Sequence, residues 1–412
     1  MNERHRTALT VALAIALIVA VPLVTELLTA AGEDAGPAGD ADGVRSDDRL
    51  PADPDEVLTR VETLTGAEDL EDVNVVIENG SNVAGGSGES PPFFQAIGLF
   101  APNESGRALA QVSGERTIVV SRALLDHPSR FEGTLSHEYT HLLQTRANAP
   151  DRVASSVSDN ASQPGDGAMV VWALYEGGAT YVEQAYWERH VDAGTPPDRL
   201  TAASYRNASG LQQYLLSGHH YGYRYLDGRV DDPAALGAVY DDPPRTTEEL
   251  LHGLEPGSEP VRPLSVSVAD EWARTRRSAT MGELFVRVLL ETELSPDTAA
   301  TGADGWGNDT RLSLVRNGTR GHVWITTWDD AANASEFENA FRGYLSERAT
   351  REGDRWKLAH GTVEICGTDG TVVAVCAGED AFLDAISVAV AGDTVRIRAQ
   401  NATTRAEVRP NR

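Results

Sequence analysis

The chain is 412 residues long, enough for an enzyme-sized domain plus a smaller one. Its net charge is −27, and of its 35 basic residues only Lys357 is lysine. An acidic, lysine-poor surface suits a protein kept soluble in molar salt, and the lack of a basic stripe excludes nucleic acid as a partner. A GC-rich genome would explain the arginines but not the acidity.

The chain opens with Arg4 and Arg6 followed by an uncharged run, residues 7–24. Basic residues before an apolar run keep the start in the cytoplasm and send the rest outside. The run is long for a signal peptide and short for a membrane span, and Thr29-Ala30-Ala31 offers a cleavage site. Residues 1–30 are therefore a signal peptide or an N-terminal membrane anchor. Both place the protein at the extracellular face of the membrane or in the medium. Residues 31–54 are rich in Ala, Gly, Asp and Pro and read as an acidic disordered linker. Eight N-x-[ST] sequons, at Asn79, Asn103, Asn160, Asn207, Asn308, Asn317, Asn333 and Asn401, agree with export and are candidate glycosylation sites.

A helix begins at 55–63, followed by a strand at 73–77, a glycine-rich loop at 80–88 and a second strand at 116–121. That strand leads into residues 131–144, where His137-Glu138-Tyr139-Thr140-His141 matches H-E-x-x-H. On a helix, residues i and i+4 stack on one face, so both imidazoles can reach one metal ion. Glu138 projects beside them, where a carboxylate can take a proton from water activated by the metal. The polar segment 147–167 reads as a loop, either a lid over the cleft or a surface insert.

Residues 168–187 read as a buried helix interrupted by a carboxylate, Glu176, and by Gly177 and Gly178. Two glycines in a helix cost around 1 kcal/mol each against alanine, so a close approach should require them. A buried anion needs a partner, and a metal is one. The pairing of H-E-x-x-H with a glutamate on a second helix resembles the gluzincin class of zinc metallopeptidases. The resemblance implies Zn2+ held by His137, His141 and Glu176, with Glu138 as general base. Thermolysin-type enzymes carry an outer aspartate four residues after the glutamate. Here that position is Thr180, and Glu183, further along the helix, is the candidate to replace it.

In 198–226, His220 and Tyr221 are candidates for the donor that steadies the oxyanion in such peptidases; an aromatic packing cluster is the other reading. Residues 243–252, Pro-Pro-Arg-Thr-Thr-Glu-Glu-Leu-Leu-His, and 305–309, Gly-Trp-Gly-Asn-Asp, resemble segments of a haloarchaeal family of surface proteins. From about 302 the pattern alternates: strands at 310–315 and 322–327, a helix near 331–347, strands at 362–366 and 371–376, a helix at 381–390 and a last strand at 395–399. Cys366 and Cys376 flank a turn and read as a hairpin clasped by a disulfide.

The fold expected is α+β, with a mainly helical gluzincin-like domain carrying a small sheet (55–300) and a small C-terminal α+β module (301–412). The function expected is an exported zinc metallopeptidase acting on a peptide or protein, tethered to the membrane if the N-terminal segment is retained. A non-catalytic cell-surface binding protein keeping a peptidase-like fold is the alternative. A zinc hydrolase acting on a non-peptide bond also fits the motif.

Overall fold

A computed structural model describes residues 50–67, 70–78, 90–100, 109–157 and 165–400. The N-terminal signal or anchor, most of the linker, the glycine-rich loop and the sequons at Asn79, Asn103, Asn160 and Asn401 lie outside the described residues. The chain is α+β and divides into two compact units. One comprises Met1–Gly88, Pro102–Gln163 and Gly167–Pro256, and the other Glu89–Ala101, Pro164–Asp166 and Gly257–Arg412. Among the described residues no helix is long and apolar enough to cross a membrane.

In the first unit, helix α1 (Pro54–Thr65) starts on Asp53, whose carboxylate accepts from the Asp55 amide, and stops at Gly66 with φ 64°. Its buried Val57, Val61 and Leu64 recur at helical spacing. Strand β1 (Asn74–Glu78) runs parallel to a later strand, while the next helix, α2 (Pro92–Ile97), belongs to the second unit. Strands β2 (Ala110–Val112) and β3 (Thr117–Ser121) complete a three-stranded sheet in the order β1-β3-β2. Val-rich β3 is buried from Ile118 onwards, as expected of a central strand.

Helix α3 (Pro128–Arg146) carries the H-E-x-x-H motif and opens with Pro128, whose missing N–H is harmless in a first turn. The segment expected to be a loop instead contains helix α4 (Ala149–Ser156), with Pro150 in its first turn and Ala149 and Val153 buried. Its proline and serines suggest a loop only when their positions at the ends of a helix are ignored. Helix α5 (Asp166–His190) follows, then α6 (Pro197–Asn207), α7 (Gly210–Asp227), α8 (Leu236–Asp241) and α9 (Thr247–His252). A polar clamp ties three of these together: Arg60 of α1 donates to the Tyr186 hydroxyl at 3.1 Å, which donates to Glu132 of α3 at 2.9 Å.

The family-like segment 243–252 is a helix start. Thr246 caps α9 by accepting from the Glu249 amide at 3.3 Å, and the Glu249 carboxylate accepts from the Arg245 amide at 2.7 Å. The pattern is a variant of the capping box in which the carboxylate reaches the amide before the cap. Gly253, at φ 63°, ends the helix.

The second unit begins earlier than residue 301, because residues 257–300 fold with it. It contains strands β4 (Ser265–Val268) and β5 (Ala273–Arg274), helices α10 (Glu283–Glu291) and α11 (Pro296–Ala303), and strands β6 (Trp306–Arg316) and β7 (Thr319–Trp328). Helix α12 (Ala331–Arg348) follows, then β8 (Thr350–Glu352), β9 (Arg355–Leu358), β10 (Gly361–Asp369) and β11 (Val372–Gly378). The helix expected over 381–390 is a short helix, α13 (Asp380–Ala385), followed by strand β12 (Ile386–Ala391). Val388 and Val390 alternate with exposed residues there, and the strand pairs with β13 (Thr394–Ala399) across a tight turn.

A seven-stranded antiparallel sheet, in the order β5-β6-β7-β11-β10-β9-β8, forms the centre of this unit. A second sheet, β12-β13-β4, contributes Val395 and Ile397 to a core shared with Leu312, Val323, Val372 and Ala374 of the larger sheet. On the other face Trp324 meets Phe337 and Phe341 of α12 and Phe285 of α10 edge-on. Cys366 sits at a bulge of β10 and is bonded to Cys376 of β11, with Cα atoms 5.8 Å apart.

The Gly-Trp-Gly-Asn-Asp segment is structural too. Buried Asp309 accepts from the Met281 and Gly282 amides at 2.8 and 2.9 Å, at the start of α10, and from Trp306 Nε1 at 3.0 Å. Asn308 spends its amide on the Arg262 carbonyl and the Asp309 amide, which makes it a poor glycan acceptor. Asn207 and Asn317 are exposed, and Asn333 is half-buried in the first turn of α12.

Candidate metal centre

Three helices of the first unit converge on one carboxylate oxygen. Glu176 Oε2, on α5, lies 3.4 Å from His137 Nε2 and 3.4 Å from His141 Nε2, both on α3. It also lies 3.4 Å from Nδ1 of His219 on α7. The ligand atoms of His137, Glu176 and His219 all fall within 4.8 Å of one another. His141 is as close to Glu176 but falls outside that mutual set.

Glycines make this convergence physically possible. A Cβ at Gly177 would stand 2.3 Å from the Gly222 carbonyl carbon of α7, and one at Gly222 would stand 1.9 Å from the Ala173 carbonyl oxygen. Helices α5 and α7 therefore touch backbone to backbone. A Cβ at Gly178 would fall 2.3 Å from the Tyr240 hydroxyl and 2.7 Å from Gln144 Nε2. The first glycine admits α7, and the second admits a side chain of α3 and one of α8.

The outer nitrogens of two imidazoles are held. His137 Nδ1 lies 3.2 Å from Glu183 Oε2, and His141 Nδ1 lies 2.9 Å from Gln144 Oε1. Gln144 is fixed in turn, its amide donating to the Tyr175 carbonyl at 2.8 Å and to the Tyr240 hydroxyl at 2.9 Å. With Gln144 oriented so, its oxygen accepts a hydrogen bond from His141 Nδ1–H, which turns Nε2 toward Glu176. Tyr175 stacks on the His141 ring at 4.1 Å between centroids. Gly133, one turn before His137, leaves room for Glu183, since a Cβ there would stand 3.1 Å from Glu183 Oε1. Thr180 turns its hydroxyl back to the Glu176 carbonyl at 2.9 Å. The carboxylate that reaches a histidine is therefore Glu183.

Burial and charge work against each other here. Burial raises the Glu176 carboxyl, but His219, His141 and His137 hold it well below the ordinary range. Burial lowers His137, yet its bonds to Glu176 and Glu183 carry it up to about 10. Burial pushes Glu138 up, against the pull of His141 and His137. His219 is lowered by burial to about 4, despite Glu176.

Sequence reasoning missed His219 and Gln144. His220 and Tyr221, expected at the oxyanion, instead pack on α6. His220 stacks on Tyr205 at 4.7 Å, and Tyr221 meets the same ring edge-on at 5.4 Å. Their neighbour His219 is the member of α7 that faces the cluster. Its signal was the glycine pair Gly218 and Gly222, which lie on the side of α7 that meets α5. Gln144 stands three residues after His141, on the same helix face.

Imidazole nitrogens and a carboxylate oxygen are donors that could hold a metal ion here. The 3.4 Å separations of three imidazole nitrogens from Glu176 Oε2 are short enough for one ion to lie between them.

Comparison with known proteins reaches a different part of the chain. Residues 271–409 match the model of a domain of unknown function (DUF8575). That segment lies in the second unit and includes neither the motif helix nor Glu176 and His219. No curated protein and no solved structure matches.

Proposed function

We propose that the first unit is an exported zinc metallopeptidase of gluzincin type, hydrolysing peptide bonds of a peptide or protein outside the cell. The observation carrying this reading is the approach of His137 and His141 to one oxygen of Glu176, with Glu138 buried beside them. A bound zinc ion would supply a Lewis acid and lower the pKa of water to about 7.

The protein's residues divide the remaining work. His137, His141 and Glu176 would hold the ion, and Glu183 and Gln144 orient the two imidazoles through their Nδ1 atoms. Glu138 accepts the proton of the attacking water and returns it to the leaving amine. Burial raises its pKa, which makes it a stronger base toward that water. The buried setting strengthens each of these interactions by excluding bulk water.

The decisive experiment compares wild type with Glu138→Gln in high salt, measuring zinc content and cleavage of an unstructured protein. Both proteins should bind zinc, and only the wild type should cleave. A zinc-loaded, folded wild type that hydrolyses no such substrate would move the cell-surface binding protein ahead. A wild type that takes up no zinc would remove both the metal and the peptidase.

A further inference from the structure

His219 is unlike the other two imidazoles. It is buried, its Nδ1 makes no hydrogen bond, and that atom lies 3.4 Å from Glu176 Oε2. A buried ring nitrogen left without a partner is costly, and most such groups are satisfied. Its ligand atom and those of His137 and Glu176 all lie within 4.8 Å of one another. The backbone contact at Gly177 and Gly222 fixes α7 one turn away, and Trp172 meets the His219 ring edge-on at 5.9 Å. The atom is therefore aimed at the centre.

We propose that His219 ligates the same ion through Nδ1 in the resting protein and gives up its place when substrate arrives. This inference rests on the metal-centre reading above. With His137, His141 and Glu176 it makes four protein ligands, three imidazoles and one carboxylate. Such a centre is closed, because catalytic zinc sites keep one position for water or substrate.

Of the four ligands His219 is the one suited to leave. Permanent histidine ligands nearly always donate their outer N–H to an acceptor. His137 has Glu183 and His141 has Gln144 in that role. Neither ring nitrogen of His219 takes part in a hydrogen bond among the described residues. Rotation about its side-chain bonds would break its bond to the ion and its edge contact with Trp172 but no hydrogen bond, while the backbone of α7 stayed against α5.

The test uses 15N-histidine-labelled full-length protein loaded with 113Cd, read by long-range 1H–15N spectra. Three histidines should show coupling to cadmium, His137 and His141 through Nε2 and His219 through Nδ1. Adding a peptide that ends in a hydroxamate should abolish the His219 coupling and keep the other two. His219→Ala, with its melting temperature checked, should bind zinc more than about 100-fold more weakly, beyond the roughly 10–100-fold of losing an outer partner.

Coupling to His137 and His141 alone in the resting protein would overturn the proposal and leave the peptidase reading standing. Three couplings that persist with the hydroxamate bound would overturn the exchange and make the centre permanently closed. No coupling at all would overturn the metal centre itself.

Discussion

Glu183 and Gln144 serve the same purpose by different chemistry. Each accepts from the outer nitrogen of a histidine, but Glu183 brings a charge and Gln144 brings two donors anchored on Tyr175 and Tyr240. Glu183→Gln and Gln144→Ala should each weaken zinc binding roughly 10–100-fold without removing it. Competition against a chelator of known affinity measures this, and unchanged affinity in both variants would mean the ligands need no outer support. Asp309, in the second unit, is a residue-scale test of stability. Burial raises its carboxyl to about 6, against three donors, the Met281 and Gly282 amides and Trp306 Nε1, that favour the ionised form. A carboxyl with a raised folded-state pKa contributes stability that is complete below its unfolded value near 4. That contribution is lost as pH climbs through about 6, at up to about 1.4 kcal/mol per pH unit. Asp309→Asn should remove this dependence between pH 4 and 6. It should also cost about 1–3 kcal/mol, because the new NH2 faces donors rather than acceptors. Denaturant titration of both proteins across that pH range checks the sign.

At the scale of elements, the centre depends on how closely α5 can lie to its neighbours. Gly222→Ala would place a methyl 1.9 Å from the Ala173 carbonyl oxygen, part of a backbone that has nowhere to move cheaply. The helices must separate, at a cost of about 1–3 kcal/mol or more, and His219 must withdraw from Glu176. The expected outcome is a lower melting temperature together with weaker zinc binding. Gly237→Ala, inside α8 where a Cβ would meet nothing within 4 Å, is the matched control: it should leave zinc binding unchanged and the melting temperature equal or higher. The same packing explains why Glu176 was legible in sequence before its surroundings were. A carboxylate and two glycines inside an apolar helix violate helix propensity, and such violations mark sites. Whether the glycines admit α3 or α7 depends on which surfaces meet, and the structure uses one for each.

At the scale of the whole molecule the charge of −27 dominates. Salt shortens the screening length from about 10 Å at 0.1 M to about 3 Å at 1 M, so the melting temperature should rise steeply with KCl. A melting temperature indifferent to salt would remove the argument for a halophilic protein. The disulfide joining Cys366 to Cys376 should leave no alkylatable thiol in unreduced protein, by intact mass.

The motif H-E-x-x-H, the carboxylate of Glu176 and the clasped hairpin were legible because each is local. One helical turn sets the spacing of His137 and His141, and one short turn brings Cys366 near Cys376. Strands β6, β7, β10, β11 and β13, half of those in the second unit, were legible for the same reason, since alternation needs only neighbours in sequence. Tertiary structure alone decided the rest. It selected His219 over His220 and Tyr221, because a helix has all three and only docking against α5 chooses the face. It placed Gln144 behind His141 and moved the unit boundary ahead of α10, whose apolar side chains find Trp324 and α12 some forty residues later. It also turned 386–391 into a strand, since a run of Ser, Val and Ala takes its conformation from β13, the partner it pairs with. Contacts between residues distant in sequence carry no local pattern, and they fix which side chains share a site.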